Sequence, residues 1–154
     1  LRAELEPAGR WEVGLRNDLA KAYLNRGIAH EQEGRLTEAV ADWERAAAIY
    51  RTVVEQGWLP AGADLLKAML WALVGYRDLA DWPSAAQYLW AFIEFYQPLE
   101  ALWAEQHGEL EPPWRDIVGQ FAGAVHGLNP DQRAALLEAL GENAEAVKRA
   151  FGWE

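Results

Sequence analysis

The chain has 154 residues, no Cys, nine Trp and a formal net charge of −10. That length closes a core without disulfides or metal, and a chain without Cys has no thiol nucleophile, no cysteine zinc site and no disulfide. The acidic balance argues against a nucleic-acid footprint, and no apolar run approaches the length of a membrane span or follows a basic leader. The charge is unevenly placed. Residues 1–77 carry 11 acids and 10 bases, residues 78–114 carry seven acids and no Lys or Arg, and residues 115–154 carry six acids and four bases. The middle segment reads as a solvated acidic surface or as a docking face for a basic partner. The cysteine-free composition suits a reducing cytoplasm, and a first residue of Leu rather than Met suggests a piece of something longer.

In chain order, residues 1–11 read as a linker or extension. A first helix is expected to begin within 12–17 and to run to about Glu33, where Gly34 must stop it, because a residue without Cβ enters the left-handed region at no steric cost. A second helix follows over about 37–56; Leu36, Ala39, Val40, Trp43, Ala46, Ala47 and Tyr50 share one side of a 3.6-residue period. Gly57 and Pro60 end it. A third helix spans about 63–79, with Leu65, Met69, Leu73, Tyr76 and Ala80 as its core face.

Asp81 is the N-cap and Pro83 a first-turn residue of a fourth helix over 83–97. This helix is apolar nearly all round, which predicts burial all round. Pro98 is expected to end or kink it, with a short segment continuing to about Gln106. A fifth helix over 113–126 turns Trp114, Ile117, Val118, Phe121 and Val125 inward. Asn129 and Pro130 open a sixth, Gly141 stops it after Leu140, and Asn143 caps a last helix to about Phe151. Period-two alternation never persists, so no strand is expected. The fold class is all-α, six or seven helices in one domain: a best hairpin over 12–56, a divergent second hairpin over 63–106, and C-terminal helices over 113–151.

Tyr23, Gly27, Gly34, Ala39, Trp43 and Ala46 stand in the order aromatic, small, turn glycine, small, aromatic, small over 24 residues. In that register the stretch from Leu19 to Tyr50 resembles a tetratricopeptide repeat, a helical hairpin of about 34 residues. The departures are Arg26 where the pattern has Leu, His30 where it has Tyr, and Arg51 where it has Pro. Met69, Tyr76, Trp82, Ala85 and Leu89 follow their counterparts by 46 residues, with Leu73 at the first glycine and Ala80 at the turn glycine. The resemblance implies antiparallel hairpins stacked as a short α-solenoid with a C-terminal capping helix. It also implies a non-catalytic module that binds a protein or peptide on its concave groove, lined by the first helix of each hairpin. Carried over position by position, the groove residues are Lys21, Leu24, Asn25, Ile28 and Glu31 from the first repeat, and Lys67, Leu70, Trp71, Val74 and Arg77 from the second. Such a groove suits an extended peptide carrying an acidic group and an apolar side chain. The competing expectation is that these residues pack against the chain itself.

Signals for chemistry are sparse. His30-Glu31 begins like a zincin motif, but Gly34 stands where the second His would be. The run His107-x-Glu109-x-Glu111 offers alternate loop ligands without a fourth. No nucleophile elbow, phosphate-cradling loop or dinucleotide fingerprint is present. No catalytic residue, metal or cofactor is therefore expected. Two further readings stay open: an oligomerisation domain pairing through the aromatic helix 83–97, which would make a homodimer, and a regulatory domain holding a small ligand between its helices. The seven aromatics between Trp82 and Trp103 need a cover, and the C-terminal third folding back is expected to supply it.

Overall fold

The computed structural model describes residues 7–153, with side chains from residue 9. Every element among them is helical and none is a strand. The order is α1 (Pro7–Gln32), α2 (Leu36–Glu55), a short 3-10 turn (Leu59–Ala61), α3 (Gly62–Asp78), α4 (Trp82–His107), α5 (Arg115–His126), α6 (Pro130–Leu140), a second 3-10 turn (Gly141–Asn143) and α7 (Ala144–Phe151). The chain forms two compact units, one reaching to Trp71 and the other starting at Ala72.

The first unit is organised by the α1–α2 hairpin. Its turn is closed by Gly34 at φ +78°, with the Gly34 amide donating to Glu31 and the Arg35 amide donating to His30 (2.8 Å). Ala39, Ala46, Tyr50, Val53 and Val54 are fully buried along α2, and Trp43 nearly so. The helices pack tightly at Gly27. A Cβ there would stand 2.7 Å from Trp43 Cδ1 and 3.1 Å from the Ala39 carbonyl oxygen, so only a bare Cα lets the indole lie against α1. The start of α1 differs from expectation. The helix begins at Pro7, before the 12–17 window, and residues 7–11 are its first turn and more. Proline at a helix start loses no hydrogen bond. Residues 1–6 of the expected extension lie outside the described residues.

In the second unit, Asp81 caps α4, accepting from the Ser84 amide (3.3 Å) and from its hydroxyl (2.8 Å), and Pro83 sits in the first turn. Asn129 and Gln132 form a reciprocal capping box on α6. Pro98 neither ends nor breaks α4, which runs 26 residues through it. Pro98 lies on the solvent side of α4, while Leu99 beyond it is buried. Packing past the proline therefore offsets the ~3 kcal/mol that an interior proline costs a helix.

The later helices do fold onto α4. Phe92 stacks on Phe121 of α5 with centroids 3.8 Å apart, and the buried Trp114 donates from its indole to Glu100 at 2.8 Å. α6 and α7 also pack against α4. The cover is one-sided. Ala85, Ala86, Leu89, Phe92 and Leu99 are buried, whereas Tyr88, Trp90, Ile93, Phe95 and Tyr96 are only half-buried, so α4 is not enclosed all round. At the chain's end Gly152 turns left-handed at φ +68° and returns the Trp153 amide to the Lys148 carbonyl (2.7 Å). Arg133 then lies 4.4 Å over the Trp153 ring.

Candidate interaction surface

The feature that sequence reasoning did not single out is Asp42. It lies on the inward side of α2 and is 1% exposed, the one charged side chain among the buried residues described. Arg26 reaches across from α1 and donates twice to it, from Nε (2.8 Å) and from a terminal nitrogen (2.7 Å), while Arg45, one turn further along α2, donates at 2.9 Å. His30 Nε2 is 3.6 Å away, and both guanidinium groups lie within 6 Å of the Tyr23 ring. A buried carboxylate holds only when paired and hydrogen-bonded. Hydrogen bonding from Arg26 holds the Asp42 carboxyl below the usual carboxylate range against the opposing effect of burial, and Asp42 in turn raises the Arg26 guanidinium. Arg26 and His30, two of the three residues that depart from the pattern the sequence resembles, both lie beside Asp42. The charge cluster joins the two helices in addition to the packing at Gly27. The signal was an Asp set between Val40 and Trp43 on an otherwise apolar face.

Four buried side-chain groups in the same unit are left without partners: Asn17 Oδ1, the Trp43 indole N–H, the Tyr50 hydroxyl and Gln56 Oε1. Burial, and then the charge of Asp64, pushes the Tyr50 phenol upward.

Fastening one side of α1 to α2 leaves its opposite side free. Trp11, Leu15 and Leu19 are 73%, 54% and 50% exposed, and their spacing of four places them in one stripe. Val13, Ala20 and Leu24 lie buried on the other side. Large apolar side chains exposed as a contiguous stripe mark a contact surface more often than a solvated one. Trp11, Leu15 and Leu19 form a second apolar period in residues 11–19, and the sequence does not say which of the two periods faces α2.

The expected groove residues divide. In the first unit Lys21, Asn25 and Glu31 are exposed and Ile28 is half-buried, while Leu24 and Leu70 are buried. Those two leucines are packing residues of the first unit. Lys67 is half-buried with its ammonium 5.0 Å from the ring centre of Trp71, which itself meets Trp43 at 5.6 Å. In the second unit Val74 and Arg77 are half-buried and line an apolar recess with Leu73, Trp82, Val125 and Leu136. Arg77 is held at 3.0 Å by Asp78. The recess encloses about 10 Å³, the room of about one water molecule, far below the ~300 Å³ and more that a small-molecule ligand needs.

Of the aromatic helix 83–97, Leu89 and Phe92 are buried within the unit, while Tyr88, Trp90, Phe95 and Tyr96 are half-buried. Among the described residues no three His, Asp or Glu side chains converge as a metal site would require, and no helix is long and apolar enough to cross a membrane. No protein-family model, no curated protein and no solved structure matches the chain.

One likeness is internal. Ala80 is the only non-glycine residue with positive φ among those described, at +56°. Its amide donates to Arg77 (3.0 Å) and the Asp81 amide donates to Tyr76 (2.9 Å). Each of these bonds is the counterpart, 46 residues on, of one at Gly34–Arg35. Ala85 and Leu89 are buried as Ala39 and Trp43 are. The hairpin turn therefore recurs in backbone geometry even where the glycine does not.

Proposed function

We propose that this chain is a non-catalytic protein-interaction module built from tetratricopeptide-like helical hairpins, with the outer side of α1 as its contact face. The observation that carries the reading is the exposed stripe Trp11–Leu15–Leu19, set on a helix whose other side is fixed by Gly27 packing and by the Asp42 cluster. A rigid helix presenting large apolar side chains at a spacing of four is the arrangement by which helices dock on one another. Lys21 and Asn25 border the stripe on one edge, and Glu12 and Arg16, ion-paired to each other, border it on the other. The hairpin reading is supported by the turn that recurs 46 residues apart. The cytoplasmic setting rests on the cysteine-free composition.

The test is site-specific photo-cross-linking in cells that express the chain. A photoreactive residue placed at Leu15 is expected to give a discrete adduct, while one placed at the exposed Ala48 of α2 gives none. Absence of an adduct from position 15, or equal yields from the two positions, would refute the assignment of the contact face.

A further inference from the structure

We infer that the stripe on α1 seats a second copy of this chain, the two α1 helices running antiparallel with Leu15 at the two-fold axis. The inference rests on the reading of α1 as the contact face and adds the identity of the partner. Leu15 is the midpoint of the stripe, four residues from Trp11 and four from Leu19. Turned end for end about Leu15, the stripe meets itself: Trp11 lies against Leu19 of the second copy, and Leu15 lies against Leu15. This is the self-complementary patch that a two-fold contact requires. Gly14, next to the axis, has nothing within 4 Å of where a Cβ would stand, so that edge leaves room for the other helix.

The charges around the stripe obey the same rotation. With a rise of about 1.5 Å per residue, it brings Glu12 within one turn of Arg16 of the second copy along one edge. Glu12, Arg16, Asp18 and Lys21, the charged residues beside the stripe, sum to zero, so this face carries none of the net charge of −10 that would hold two copies apart.

The size of the face sets the strength. An exposed Trp offers on the order of 150 Å². With two leucines and the flanking side chains, the pair buries about 1,000 Å² in all, at the lower bound for a specific interface. Dimerisation is therefore expected in the micromolar range.

The experiment is sedimentation equilibrium of the whole chain from about 1 to about 200 μM, a span that brackets an interface of this size. The expected result is a reversible monomer–dimer equilibrium. Leu15→Glu sets two carboxylates on the axis and should weaken it at least tenfold, with an unchanged helical circular-dichroism spectrum, since Leu15 makes no part of the core. Glu12→Lys should weaken it several-fold, and Glu12→Lys combined with Arg16→Glu should restore it. A chain that stays monomeric throughout overturns the inference, as does a dimer indifferent to Leu15→Glu or a double variant no tighter than Glu12→Lys alone. Monomeric chain that still cross-links from position 15 to a different protein loses the self-pairing and keeps the contact face. Monomeric chain without any adduct loses both.

Discussion

Asp42 contributes to stability only while it is ionised and its partners are in place. The carboxyl is buried, but Arg26 and Arg45 stand more than half exposed, at 56% and 55% of their side-chain area. Solvent therefore screens the pairing, and Asp42→Asn should cost about 1.5 kcal/mol at neutral pH, the lower end for hydrogen bonds to a charged group. The carboxyl titrates lower in the folded chain than in the unfolded one. Its contribution is thus complete above the unfolded value near 3.8 and fades as pH falls through the lower folded value. Urea melts of parent and variant at neutral pH and near pH 3 should show the deficit shrinking in acid. Gly27 makes a second residue-scale case, because two effects oppose. Gly→Ala in a helix interior gains up to about 1 kcal/mol in propensity, but here the new methyl would strike Trp43 and the Ala39 carbonyl. Overpacking of that kind costs about 1–3 kcal/mol, so Gly27→Ala should lower the melting temperature. An unchanged or raised midpoint would place the hairpin contact elsewhere.

At the scale of elements, the turns decide where helices stop. Gly34 and Ala80 adopt the same left-handed backbone and the same hydrogen bonds, yet only one of them is free of a Cβ. The left-handed region costs an L-residue about 1–2 kcal/mol. Ala80→Gly should therefore raise stability by up to about 1 kcal/mol, and Gly34→Ala should lower it by a similar amount. Thermal melts of the two variants should move in opposite directions. Pro98 shows the converse. Its sequence signal is as strong as that of either turn, yet α4 runs through it. A proline ends a helix when nothing beyond it holds the next turn. Here Leu99 is buried, Glu100 accepts from Trp114, and the Trp103 ring lies 5.3 Å from the Trp114 ring. Local preference stopped the helix where packing was absent and yielded where it was present.

On the scale of the whole chain, the second unit depends on its late helices. α5, α6 and α7 cover the buried side of α4, so truncation after Gly127 would uncover Leu89 and its neighbours. The shortened chain should aggregate or associate while retaining helical circular dichroism. A monomeric truncation that melts like the parent would mean the cover is dispensable. The acidic run from Asp78 to Glu111 is for the most part exposed, although Asp81 and Glu100 are drawn into a cap and an indole hydrogen bond. Helix number, the caps at Asp81 and Asn129, the stops at Gly34 and Gly141, and the inward faces of α2 and α5 could all be read from the chain, because each depends on neighbours three or four residues away. The pairing of Asp42 with Arg26, 16 residues apart, could not, because it joins two helices. Nor could the passage of α4 through Pro98, the burial of Leu24 and Leu70, or the exposure of Trp11, Leu15 and Leu19. An apolar residue at helical spacing has the same signal on either side of a helix, and only the packed structure decides which side finds a neighbour.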